Sequence, residues 1–221
     1  MSVKTGAARG ARYIVVEGPI GVGKTSLTSL LAEKLGARLI LEQAEDNPFL
    51  SDFYRDPARY RFQIQVFFLL NRFGQQQELT QPDLFTTVTL SDYLFDKDRI
   101  FASLNLSDHE LALYDQIYRL LEPKITKPDL VIFLQADADQ LIRRIKQRGR
   151  TYEKDVDRDY IAAVNEAYNR FFFNYSETPL LVINTSDIDF VRRREDLEDL
   201  IKQIMQMRQG TQYYVPLRGR K

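Results

Sequence analysis

Residues 12–25 read Arg-Tyr-Ile-Val-Val-Glu-Gly-Pro-Ile-Gly-Val-Gly-Lys-Thr. Within them Gly18-x-x-x-x-Gly23-Lys24-Thr25 is a complete phosphate-binding loop. It follows a short apolar run, 13–16, that reads as a buried strand, and it precedes a helical pattern over 26–35. Strand, glycine-rich loop and helix in that order is the setting the motif requires. The glycines let backbone N–H groups curl around phosphates, and the helix N-terminus adds its dipole. Lys24 is placed to reach the β- and γ-phosphates, and the Thr25 hydroxyl to meet Mg²⁺.

Working outward, short apolar runs alternate with helical patterns, the signature of a mostly parallel sheet with helices on both faces. Strands are expected at 13–17, 38–42, 85–90, 130–135 and 180–184, giving a five-stranded sheet. Helices are expected at 56–77, with Pro57 in its first turn, and at 107–121, opened by a Ser107-x-x-Glu110 capping box. Further helices are expected at 137–148, 157–175 and 195–208. The 221 residues are read as one α/β domain, with 1–11 and 210–221 as frayed tails.

Thirty-one basic residues balance thirty-one acidic ones. Bulk electrostatic attraction to nucleic acid is therefore not expected. The chain has no cysteine, which excludes disulfides and thiolate metal sites and fits a reducing compartment. The first twelve residues carry no apolar segment of the secretory kind, and no apolar run approaches a membrane span. A soluble, cytoplasmic protein is the expectation. His109, the only histidine, is expected to be exposed.

In such sheets ligands bind at the carboxyl ends of the strands. Three acids stand there: Glu42, Asp92 and Asp137. Glu42 is placed either to take a proton from a hydroxyl acceptor or to cap the next turn. Asp92 is placed either to assist Mg²⁺ or to cap a helix. The run Arg143-Arg144-x-x-x-Arg148-x-Arg150 brings three guanidiniums, at 144, 148 and 150, to a region that reads as a lid closing over the transferring phosphoryl group. Gln65 and Arg72, seven apart on the long helix, share a face that suits a nucleobase edge.

These residues together resemble the deoxyribonucleoside kinases. Glu17-Gly18-Pro19-Ile20-Gly21-Val22-Gly23-Lys24-Thr25-Ser26 is similar to that family's phosphate loop. Ile20 stands where thymidylate kinases, which act on monophosphates, have an acid. The resemblance implies ATP held on Gly18, Ile20, Gly21, Val22, Gly23, Lys24, Thr25 and Ser26, with Arg148 and Arg150 closing over it. It implies Mg²⁺ beside Thr25 and Asp92, and Glu42 as the base acting with Lys24, Arg144 and Arg148. Tyr54 and Glu153 match the pair that meets the sugar 3′-hydroxyl. Gln65, Arg72 and Asp98 match the base-edge set, and Asp92 the acid of an Asp/Glu-Arg-Ser motif. The implied activity is 5′-phosphorylation of a deoxyribonucleoside in nucleotide salvage by a homodimer, purine favoured over deoxycytidine or thymidine.

One departure stands out. After the acid the family has Arg-Ser, whereas this chain has Tyr93-Leu94. Lys97 is the nearby cation that takes the arginine's place in this reading. The same departure supports the competing class, a nucleotide-binding regulator with weakened catalysis. A GTPase or motor ATPase is disfavoured, because no Asn-Lys-x-Asp guanine reader is present.

Overall fold

The computed structural model describes residues 13–79, 88–150, 153 and 156–215. Strand β1 (Tyr13–Glu17) feeds helix α1 (Lys24–Leu35), and β2 (Arg38–Ile40) leads to α2 (Leu50–Arg55) and α3 (Pro57–Leu79). After β3 (Thr89–Ser91) come α4 (Lys97–Asn105) and α5 (Asp108–Leu121), then β4 (Leu130–Gln135), α6 (Ala138–Arg148) and α7 (Arg158–Phe173). The described chain ends with β5 (Leu180–Asn184), α8 (Arg194–Gln206) and β6 (Thr211–Tyr214).

Among the described residues the strands form one parallel sheet in the order β2-β3-β1-β4-β5-β6. The chain therefore runs to one edge after β1 and to the other after β3, which places a crevice at the carboxyl end of β1. Alternate residues of the central strands enter different cores, as strand geometry demands. Ile14, Val16, Ile132 and Leu134 pack with Leu27 and Leu31 of α1 and with Leu200 and Ile204 of α8. Tyr13, Val15, Val131 and Phe133 pack with Ile100 of α4 and with Val164, Tyr168 and Phe172 of α7.

The sheet has six strands, not five, and the added strand lies within the expected tail over 210–221, of which 216–221 fall outside the described residues. Thr211–Tyr214 pairs in parallel with β5, Leu180 opposite Thr211 and Ile183 opposite Tyr214. Its side chains stay largely exposed, so the strand rests on main-chain hydrogen bonds and leaves no buried apolar alternation in the sequence. The expected third strand lies partly outside the described residues; its described part is 89–91, extending one residue past the expected end. The second strand stops at Ile40, so Leu41 and Glu42 belong to the loop beyond it. Helices α2 and α4 are additional to the expected set. The capping box of α5 is formed: the Ser107 backbone N–H donates to Glu110 Oε2 at 2.8 Å. His109 is exposed, and no described helix is long and apolar enough to cross a membrane.

Candidate active site

The phosphate loop turns between β1 and α1. Gly23 is left-handed, at φ 105°, and a Cβ there would lie 2.9 Å from the Phe190 ring. Gly21, at φ 83°, would push a Cβ to 2.9 Å from the Leu141 carbonyl. A side chain at either position would strain the backbone and collide with packed neighbours. Lys24 folds back over the loop, donating to the carbonyls of Gly18 at 2.7 Å and Pro19 at 3.2 Å. Burial, with the nearby Lys97 ammonium, lowers its pKa to about 8.

Glu17, the last residue of β1, ties this loop to its surroundings, a role its sequence position alone did not suggest. Its fully buried carboxylate accepts from the Gly18 N–H at 2.8 Å, the Leu94 N–H at 2.6 Å and the Tyr168 hydroxyl at 3.1 Å. Burial raises its pKa above the usual carboxylate value. The available signal was an acid closing an otherwise apolar central strand.

Parallel pairing of β2 with β3, Ile40 opposite Ser91, brings the two following loops together. Asp92 Oδ1 accepts the Glu42 backbone N–H at 2.7 Å, and its Oδ2 accepts the Thr25 hydroxyl. A hydroxyl and a carboxylate thus meet at the start of α1. That oxygen pair suits Mg²⁺, which is held by one or two carboxylates and completed by water and substrate phosphates. No group of three or more His, Cys, Asp or Glu placed to hold a metal occurs among the described residues.

Helix α3 directs Ile64, Gln65, Leu69, Arg72 and Gln76 inward at helical spacing, so two polar side chains of the expected base-edge set ride on an apolar stripe. Arg72 is 4 % exposed and divides its guanidinium, Nη1 to Asp98 Oδ1 and Nη2 to Glu42 Oε1. It also lies over Phe68, 4.9 Å from the ring centre. Lys97, the first residue of α4, donates to Glu42 Oε2 at 2.6 Å. Burial pushes the Glu42 pKa up, but Lys97 and Arg72 together bring it well below the ordinary carboxylate range. Burial raises that of Asp98 to about 6, against the pull of Arg72. Gln65 Oε1 and Asp98 Oδ2 are buried without a hydrogen-bond partner. Such orphaned acceptors are costly unless a ligand or water meets them.

A cavity of about 440 Å³ joins these parts. The phosphate loop, with Ile20, Gly21, Lys24 and Thr25, forms one wall; Glu42, Arg72, Lys97 and Asp98 form another. Tyr54, Gln65, Asp92, Arg148, Arg150 and Glu153 also face it. Arg148 pairs with Glu153 through Nη2 to Oε1, with Nε 3.2 Å from Oε2, and Arg150 lies 3.4 Å from Glu45. Part of the expected lid, residues 151, 152, 154 and 155, lies outside the described residues.

Two expected placements differ. Arg144 shares the helix face of Arg148 yet does not line the cavity. It donates to the Val22 carbonyl at 3.1 Å, Thr185 Oγ1 at 3.1 Å, and the carbonyls of Thr185 and Ile188 at 2.7 and 3.3 Å. It binds the loop after β5 to the back of the phosphate loop, so two of the three expected guanidiniums reach the cavity. Asp137 is exposed at the N-terminus of α6 and does not line the cavity.

A glycine loop built to cup phosphates, facing a caged carboxylate across a small-molecule cavity, defines a P-loop phosphotransferase. The chain matches the deoxynucleoside kinase family over residues 14–208. It is 35% identical to the deoxyguanosine kinase of Bacillus subtilis (strain 168) over 202 residues, covering 89% of this chain and 98% of that one. It is 33% identical to the deoxyadenosine kinase of Lactobacillus acidophilus, covering 87% and 94%. The fold matches the deoxyadenosine kinase of M. mycoides, solved with bound dATP, at a TM-score of 0.74 and 23% identity, covering 87% and 98%. The chain belongs to the deoxynucleoside kinase family. It is a transferase that phosphorylates a hydroxyl of a deoxynucleoside.

Proposed function

We propose that this kinase transfers the γ-phosphoryl group of ATP to the 5′-hydroxyl of a purine deoxyribonucleoside, with Glu42 as the base. The observation that carries the reading is the placement of Glu42 across the cavity from the phosphate loop, its carboxylate held by Arg72 and Lys97. Purine preference draws support from the named activities of the two relatives above and from the unpartnered acceptors of Gln65 and Asp98, which suit the N–H donors of a purine edge.

In this reading the triphosphate lies on the loop 18–25, the phosphates drawing Lys24 from the carbonyls of Gly18 and Pro19. Thr25 and Asp92 would hold Mg²⁺, which supplies charge neutralisation at the donor's phosphate oxygens. The sugar lies beside Tyr54 and Glu153, and the base beside Gln65, Arg72 and Asp98. Glu42 accepts the 5′-hydroxyl proton as that oxygen attacks phosphorus. Lys24, Arg148 and Arg150 hold the transferring group's negative charge, and Arg144 keeps the phosphate loop in place. The exposed leucines Leu70, Leu113 and Leu120 on α3 and α5 support a homodimer, checked by sedimentation. A cytoplasmic location completes the reading, checked by fractionation of cells making the tagged protein.

The decisive experiment incubates the protein with Mg²⁺-ATP and each of the four deoxyribonucleosides, with ribonucleosides as controls. Deoxyguanosine and deoxyadenosine are expected to give the highest kcat/KM. No monophosphate from any of them would mark a regulator instead, and faster turnover of deoxycytidine or thymidine would overturn the purine preference.

A further inference from the structure

The main chain stops holding the two walls of the cavity together before either wall begins. Pairing of β1 with β3 ends at Val15 opposite Ser91. Beyond that pair β1 runs into the phosphate loop, and β3 into the segment 92–98 that carries Asp92 and Asp98. A side chain takes over where the ladder ends. The Glu17 carboxylate accepts the Gly18 N–H on Oε1 and the Leu94 N–H on Oε2. One oxygen thus holds the phosphate loop and the other holds the segment between Asp92 and Asp98. Oε1 also accepts the hydroxyl of Tyr168, a fully buried residue of α7, the helix that follows Glu153.

This arrangement calls for a carboxylate. Both backbone N–H groups can donate and neither can accept. A glutamine has one acceptor oxygen and one NH₂ group, so two donors would face each other at Gly18 or at Leu94 whichever way its amide lay. The site is fully buried, where an unmatched donor is costly. Burial works against the charge of Glu17, and the ammonium groups of Lys97 and Lys24 favour it. Glu17 does not line the cavity. It acts through the groups it holds.

We propose that Glu17 is a positioning residue that sets the spacing between the two substrates: its two oxygens fix the phosphate loop and the segment bearing Asp92 and Asp98 at the separation phosphoryl transfer needs. The inference rests on the reading that ATP lies on the phosphate loop and the nucleoside across the cavity from it. In-line displacement is steep in distance, and a misplacement of about 1 Å set far from the chemistry costs on the order of 10²-fold in rate. Either substrate binding alone engages one wall and is indifferent to the spacing. A ligand that engages both walls at once is not.

The test uses the best deoxyribonucleoside substrate joined 5′ to 5′ to adenosine through a pentaphosphate. Calorimetry gives its Kd, and those of ATP and the nucleoside alone, for wild type, E17Q and Y168F, beside steady-state kinetics and thermal melting. The product of the two separate Kd values divided by that of the linked compound is the effective concentration of one end once the other is bound. In E17Q this ratio and kcat are each expected to fall about 10²-fold, while each separate Kd stays within about threefold. Y168F removes one donor and leaves the carboxylate, and should lower the ratio about tenfold. A ratio within about threefold of wild type in E17Q would overturn the proposal. So would a loss confined to the Kd of ATP, the mark of a residue that only shapes the phosphate loop. A purely structural Glu17 would lower the melting temperature and leave the ratio and kcat of the folded enzyme unchanged. If E17Q does not fold, Y168F decides alone, and an unchanged ratio there sinks the proposal. Wild type that holds the linked compound no tighter than ATP would remove the two-site reading itself, whereas tight binding by wild type and E17Q alike removes only the role of Glu17.

Discussion

The two ends of the cavity are built on different principles. The acceptor end is an ion-pair lattice: Arg72 and Lys97 share Glu42, Asp98 balances Arg72, and all but Glu42 are nearly excluded from solvent. The donor end is backbone: a loop of glycines, with Lys24 resting on its own carbonyls and Arg148 and Arg150 at the surface. A buried charge must find its partner within the protein, whereas the half-exposed Arg148 and Arg150 can exchange theirs, Glu153 and Glu45, for a phosphate. Under the proposed function, the acceptor end is thus held by the protein's own charges, and the donor end presents groups that a phosphate can engage.

That contrast can be broken by substitution. Glu42→Gln is nearly isosteric and keeps hydrogen-bonding capacity on the lattice. It should leave nucleoside KM within a few-fold while kcat falls by about 10²–10⁴-fold, the range for loss of a general base; steady-state kinetics reads the split. Arg72→Met removes the centre of the lattice, strands Asp98 and leaves Glu42 with Lys97 alone. The expected cost is about 3–5 kcal/mol, the penalty for unpairing a buried charge, read as a lower urea midpoint at unchanged slope. At the donor end, Arg150→Ala should cost about 10²-fold in kcat with little change in the urea midpoint, since Arg150 and its partner Glu45 are both partly exposed. A large stability loss there would erase the distinction between the two ends.

The smallest effect is one of pH. Burial and the Lys97 ammonium lower the Lys24 pKa to about 8, and phosphates against it would favour its charged form. Binding of ATP at pH 8.5 should therefore take up protons, and affinity should fall as pH rises through about 8. Calorimetry in buffers of differing ionisation enthalpy measures the uptake. Lys24→Arg, whose guanidinium does not titrate in this range, should abolish it.

Much of this was legible in the sequence, but unevenly. The phosphate loop could be read because its function depends on consecutive residues. Glu42 and Asp92 could be found because each lies just past a strand, where a parallel sheet gathers its ligands. Strand β6 escaped notice because an exposed edge held by main-chain bonds leaves no apolar pattern. Arg144 and Arg148 looked equivalent at four-residue spacing, yet Thr185 and Ile188, some forty residues onward, draw the first away from the cavity.

By itself the sequence determined the class of fold, the phosphate-binding end and the candidate carboxylates, because these follow from local geometry and strand position. Which cation meets which carboxylate was decided only in three dimensions. Glu42 lies thirty residues from Arg72 and fifty-five from Lys97. Buried charges choose partners by distance and exclusion of water, quantities that packing sets and spacing along the chain does not contain.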